Sequence, residues 1–118
     1  MKVVDTIRPG KTTISFEFFP PKTSEQEARL FAALAELKAY HPDFASITCG
    51  AMGGNRDKTL EWARNIELQG IDPVVHLTCI TETKEKILAQ LKEMQELGIG
   101  NILALRGDIP GEGTEEIG

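Results

Sequence analysis

Four short apolar stretches begin about 30 residues apart, each separated from the next by an amphipathic stretch, and this alternation restricts the chain to a parallel α/β arrangement. The strand candidates are 12–19, 44–49, 73–80 and 101–106. Between the first two, Thr23 can cap a helix with Gln26 three residues on. Leu30, Phe31, Leu34 and Leu37 then recur at helical spacing. That helix should end near Tyr40, because His41 precedes Pro42 and is pushed out of the helical region. A second helix opens at Asn55 or Asp57, carries Leu60, Ala63 and Ile66 inward, and closes at Gly70. A third is capped from within Thr81, Glu82 and Thr83, presents Ile87, Leu88, Leu91, Met94 and Leu97, and closes at Gly98. Residues 1–11 form a lead-in ending in the Pro9-Gly10 turn, and 111–118 have loop composition.

Two architectures suit this order, an open doubly wound sheet and an arc of a (β/α)8 barrel. A doubly wound sheet buries both faces under helices and should be apolar on both. Here one parity of each strand is apolar, while the other turns polar toward the C-terminal end: Glu17 with Ser15, Thr48 with Ser46, His76 with Thr78, Arg106 with Asp108. A barrel with its site at the C-terminal mouth predicts that gathering. No Gly-x-Gly-x-x-Gly follows the first strand, where Pro20-Pro21 stands instead. The fold expected is therefore α/β of the (β/α)8-barrel type, with four strands and three helices present. A whole barrel needs about 250 residues. Residues 1–118 thus read as the N-terminal half of one barrel domain with its continuation missing, or as a unit that associates to complete the sheet.

Within 13–22, Glu17 is the one carboxylate in an aromatic run, Phe16 to Phe19, ahead of the rigid Pro20-Pro21 turn. A buried strand with a single acid suits either an ion pair in a packed core or a carboxyl group kept available as a proton donor. On adjacent strands, Glu17, Thr48, His76, Thr78, Arg106 and Asp108 would share one rim. Each alone has an ordinary structural role: a hydrogen-bonded core histidine, strand threonines, an Arg106–Asp108 pair. The loop 50–54 could bring backbone N–H groups to a phosphate or ring, or be merely flexible. One inward histidine and two acids make a thin metal ligand set, so no metal is expected.

The net charge of −5 and pI near 5.0 argue against nucleic acid and anionic membrane as partners. No apolar run could span a bilayer, the N-terminus lacks a signal-peptide core, and two cysteines without metal-ligand spacing suit a reducing cytoplasm. Arg106-Gly-Asp108 spells an adhesion tripeptide, a poor reading for such a chain.

Ser15-Phe-Glu-Phe-Phe-Pro-Pro-Lys22, Ser46-Ile-Thr-Cys-Gly50, His76-Leu-Thr-Cys79 and Ala104-Leu-Arg-Gly-Asp108, in this order and spacing, closely resemble the methylenetetrahydrofolate reductase family over roughly 11–110. The resemblance implies a flavin-dependent (β/α)8 barrel that reduces 5,10-methylenetetrahydrofolate to 5-methyltetrahydrofolate in one-carbon and methionine metabolism. FAD would be its cofactor and NADH or NADPH the electron donor. By the same resemblance Glu17 is the general acid. Thr48, His76, Arg106, Gly107 and Asp108 line the flavin, and Asp108 with Glu17 also meets the folate. Two other readings stand beside it. One is a non-catalytic half barrel, self-associating or awaiting a partner that supplies strands five to eight. The other is a barrel enzyme that uses the Glu17 rim without a flavin.

Overall fold

Every expected helix and strand forms, the strands shorter than their apolar stretches. The computed structural model describes residues 2–48, 56–80 and 82–107, with no side-chain description at 56 and 57. Strands β1 (Ser15–Phe18), β2 (Phe44–Ile47), β3 (Pro73–Thr78) and β4 (Ile102–Leu105) alternate with helices α1 (Ser24–Leu37), α2 (Arg56–Leu68) and α3 (Lys84–Glu96). They form one four-stranded sheet in the order β1-β2-β3-β4, with all pairings parallel. Consecutive parallel neighbours joined by helices are what the spacing demands.

Local chemistry sets the helix ends. Thr23 Oγ1 accepts from Gln26 N at 3.1 Å, and Gln26 Oε1 accepts from Lys22 N at 2.8 Å, which satisfies N–H groups left over at the start of α1. Thr83 Oγ1 does the same for Lys86 N at 3.2 Å in α3. At its far end α1 passes into a 3₁₀ turn, Lys38–Tyr40, and stops at His41, whose φ of 52° is left-handed. Helices α2 and α3 end alike. Gly70 (φ 85°) donates to Glu67 O and Ile71 to Ile66 O; Gly98 (φ 81°) donates to Gln95 O and Ile99 to Met94 O. In each, a left-handed glycine turns the chain and the next isoleucine drops back onto the core.

That core lies between the sheet and the helices. Ala45 and Ile47 of β2, with Val75 and Leu77 of β3, meet Leu34 of α1, Trp62, Ala63 and Ile66 of α2, and Met94 of α3. Trp62 is fully buried, its ring centroid 4.6 Å from that of Phe31 and tilted 51° to it. The helical spacing alone places Phe31, Leu88 and Leu97 inward, yet they are 44%, 55% and 38% exposed. Leu88 follows Ile87 and so sits about 100° further round the helix, off the buried stripe.

The first strand differs from the buried strand expected. Its residues alternate exposed and half-buried, and Phe19 beyond it is 74% exposed. Among the described residues β1 is an edge strand that pairs with β2 alone, so its side chains lack cover on one flank. β4 is the other edge, and all four of its residues are exposed. Asp43 fastens β1 to β2: its N–H donates to Ile14 O at 2.7 Å, while its carboxylate accepts from Ile14 N and from Lys11 Nζ, each at 2.9 Å. The Ile14 N–H first, and then Lys11, hold the Asp43 carboxyl below the usual carboxylate range. This clamp sits just before the paired residues Ser15 and Phe44 and so fixes what stands opposite Glu17. No helix among the described residues is long and apolar enough to cross a membrane.

Candidate active site

Residues paired side by side in parallel strands share a face, so the register decides which side chains can meet. Glu17 pairs with Ser46, and Ser46 with Val74. His76, two residues on from Val74, stands on the same face one step nearer the C-terminal end. All lie on the side away from the helices. There Ser46 Oγ donates to Glu17 Oε1 at 3.1 Å, and His76 Nε2 lies 3.3 Å from that same oxygen without hydrogen-bond alignment. Ser46 and His76 are buried, whereas the Glu17 side chain is 54% exposed. Among the described residues the carboxyl is thus held by a hydroxyl with an imidazole beside it, not by the lysine or arginine of an ordinary core ion pair.

A cavity of about 620 Å³ opens on this face, bounded by Glu17, Ser46, His76 and Leu103 and, at its lower end, by Val3 and Val4. The 3₁₀ turn Val3–Thr6 reaches it because Val3 N donates to Asn101 Oδ1 at 2.7 Å, at the foot of β4. Glu17 also borders a second cavity of about 400 Å³ over the Phe18–Pro21 turn. A partly exposed acid between two cavities, backed by buried polar groups, can exchange a proton with a bound molecule.

Of the other residues singled out, Thr48 follows β2 in phase with Ser46. Its Oγ1 is buried without a hydrogen-bond partner among the described residues, and its carbonyl accepts from Thr59 Oγ1 at 2.9 Å. Thr78 is buried at the end of β3 on the His76 face. Strand β4 departs from the expected facing. His76 pairs with Leu103 and Thr78 with Leu105, so it is the leucines that share the site's face. Counted on from Ala104, which pairs with Leu77, Arg106 is in phase with the helix-side residues. Both parities of β4 are apolar, so alternation alone could not distinguish the inner face. Arg106 is exposed at the C-terminal edge of β4, its Nε donating to Gly107 O at 3.3 Å. Asp108 and the loop 50–54 lie outside the described residues.

Two buried polar atoms near this site, Thr48 Oγ1 and His76 Nε2, have no aligned hydrogen-bond partner among the described residues. Buried groups of this kind are normally satisfied, so they fit a polar ligand that borders the sheet, as a flavin would. Among the described residues no group of three or more His, Cys, Asp or Glu could hold a metal ion.

Sequence reasoning passed over Ser46. It enters there as the in-phase neighbour of Thr48 and the first residue of a motif, with no role of its own, although a serine in the middle of an otherwise apolar strand is the local signal that could mark it.

Comparison with known proteins bears on this arrangement. The family profile described as methylenetetrahydrofolate reductase matches residues 2–117. The 5,10-methylenetetrahydrofolate reductase of Pectobacterium carotovorum is 42% identical over 105 residues, covering 88% of this chain and 35% of that protein. The Escherichia coli protein of the same name is 40% identical over 110 residues, covering 92% and 37%. Methylenetetrahydrofolate reductase (NADH) 1 of Arabidopsis thaliana is 44% identical over 115 residues, covering 93% and 19%. The chain therefore spans about a third of the length of these bacterial relatives and about a fifth of the plant one.

Proposed function

Because the chain belongs to the methylenetetrahydrofolate reductase family, we propose that it supplies the general acid and part of the cofactor site for reduction of 5,10-methylenetetrahydrofolate to 5-methyltetrahydrofolate. The observation that carries this reading is the Glu17 carboxyl, held at Oε1 by Ser46 and beside His76, on the helix-free face and open to two cavities. Its proton would pass to the folate nitrogen whose bond to the bridging methylene carbon breaks. That nitrogen keeps the bonding pair and an iminium cation is left. General acid catalysis of this kind typically contributes ~10²–10⁴-fold.

FAD, when bound and once reduced by NADH or NADPH, would supply the hydride for the iminium carbon; NADH stands in the name of the Arabidopsis relative. Thr48 and His76 would hold the flavin through the polar atoms that lack aligned partners among the described residues; by the family resemblance Arg106, exposed past the last paired residue of β4, with Gly107 and Asp108, would complete the set. The strands of this sheet would form the first half of a (β/α)8 barrel. Parallel order supports this, as do the exposed Leu103 and Leu105 on one face of β4 and Ile102 on the other, which further βα units would cover.

The test is Glu17→Gln in the completed barrel. Gln keeps an Oε1 to accept from Ser46 but has no acidic proton. Purified variant and wild type should show the same flavin absorption band, and folate reduction should fall by ~10²–10⁴-fold. Wild-type turnover in the variant would remove the acid role, and a folded protein with no flavin band after incubation with FAD would remove the cofactor assignment.

A further inference from the structure

Both contacts to the Glu17 carboxyl among the described residues fall on the same oxygen. Oε1 accepts from Ser46 Oγ at 3.1 Å and faces His76 Nε2 at 3.3 Å. An oxygen already accepting one hydrogen bond beside an imidazole nitrogen is the poorer seat for the acid's own proton, which leaves Oε2 to carry it. Glutamate has three side-chain torsions to fix, and a side chain 54% exposed on an edge strand has little packing to fix them. Ser46 is differently placed. It is 8% exposed, on a strand paired on both sides, in register with Glu17 on one neighbour and Val74 on the other. Its hydroxyl is therefore a fixed point to which a mobile acid is tied.

We propose that Ser46 is a positioning residue for the acid step: it pins Glu17 Oε1 so that Oε2 delivers the proton. This rests on the reading of Glu17 as the general acid. In the step the Oε2–H bond breaks as an N–H bond forms on the folate nitrogen, and the bond from that nitrogen to the methylene carbon breaks with its pair retained there. A neutral acid and an uncharged folate ring become a carboxylate and an iminium cation. The same Ser46 hydrogen bond then stabilises the carboxylate that remains.

The experiment is a kinetic cycle in the complete enzyme with Ser46→Ala, Ser46→Thr, Glu17→Gln and the Glu17→Gln/Ser46→Ala double variant. A hydrogen bond to a charged group, converted to rate, predicts roughly a tenfold lower kcat for Ser46→Ala, with KM for the folate within about twofold of wild type. Ser46→Thr restores the hydroxyl, its extra methyl has the adjoining cavity to enter, and kcat recovers most of the loss. The double variant is no slower than Glu17→Gln alone, because Ser46 acts only through the acid. Should Ser46→Ala not fold, Ser46→Cys keeps the shape with a weaker donor and must fall below Ser46→Thr in kcat. Wild-type kcat in Ser46→Ala alongside a slow Glu17→Gln overturns the positioning role and leaves the acid in place. A further loss in the double variant, or no rescue by threonine, overturns it equally. Unimpaired Glu17→Gln overturns the acid reading itself.

Discussion

Replacing Gly98 by alanine tests backbone conformation without a steric clash. Gly98 holds φ 81° at the exit of α3, and a Cβ added there meets no atom within 4 Å. No clash contributes, so the penalty is that of placing an L-residue in the left-handed region, about 1–2 kcal/mol. Alanine also restricts the unfolded chain, which returns about 0.4–1 kcal/mol. The expected net loss is about 1 kcal/mol. Gly70 at the exit of α2 has φ 85° and the same open surroundings, so Gly70→Ala should cost an equal amount. The sites close different helices and share no partner, so the double variant should lose about 2 kcal/mol. Asparagine, which tolerates this conformation, should cost less than alanine at either site. Urea titration followed by emission of Trp62, the single tryptophan and fully buried, reads all of these. A loss above ~3 kcal/mol would mean that the turns carry steric or packing terms absent from this geometry, and no loss would mean that the left-handed closure itself is wrong.

Two further outcomes test the packing and the clamp. Trp62→Ala removes the largest fully buried side chain and its contact with Phe31, and should destabilise by about 3–5 kcal/mol in denaturant unfolding followed by circular dichroism. Asp43→Asn should flatten the acid limb of stability. The folded Asp43 carboxyl is held below the ordinary aspartate value of 3.8, so its contribution is present above that pH and lost as pH falls through the lower folded value. Melting temperatures of wild type and variant should therefore differ near neutrality and converge in strong acid. Curves that stay parallel throughout would show that the Asp43 contacts do not depend on its charge.

Much of the site could be read from residue order, because it depends on local rules. Thr23 and Thr83 cap helices through hydrogen bonds made within three residues, and Gly70 and Gly98 close them through their own bonds spanning three and those of Ile71 and Ile99 spanning five. Strand alternation within β1, β2 and β3 correctly set Glu17, Ser46 and His76 against Phe16, Ala45, Ile47, Val75 and Leu77. Where both parities of a strand are apolar, that rule has no purchase. In β4 it could not say that Leu103 and Leu105, rather than Ile102 and Ala104, would stand beside His76 and Thr78.

The sequence by itself determined that helices and parallel strands alternate, that Thr23 opens the first helix and Gly70 and Gly98 close the other two, and that one acid would sit among aromatics near a strand's C-terminal end. Those properties arise from backbone hydrogen bonds and side-chain periodicity over a few residues. Only the tertiary structure decided that Glu17 meets Ser46, 29 residues away, and that Trp62 fills the space beneath Phe31. It also decided that Arg106 falls out of phase with His76. Each of these follows from inter-strand register and helix-on-sheet packing, which residues far apart in the chain set together and no local stretch encodes.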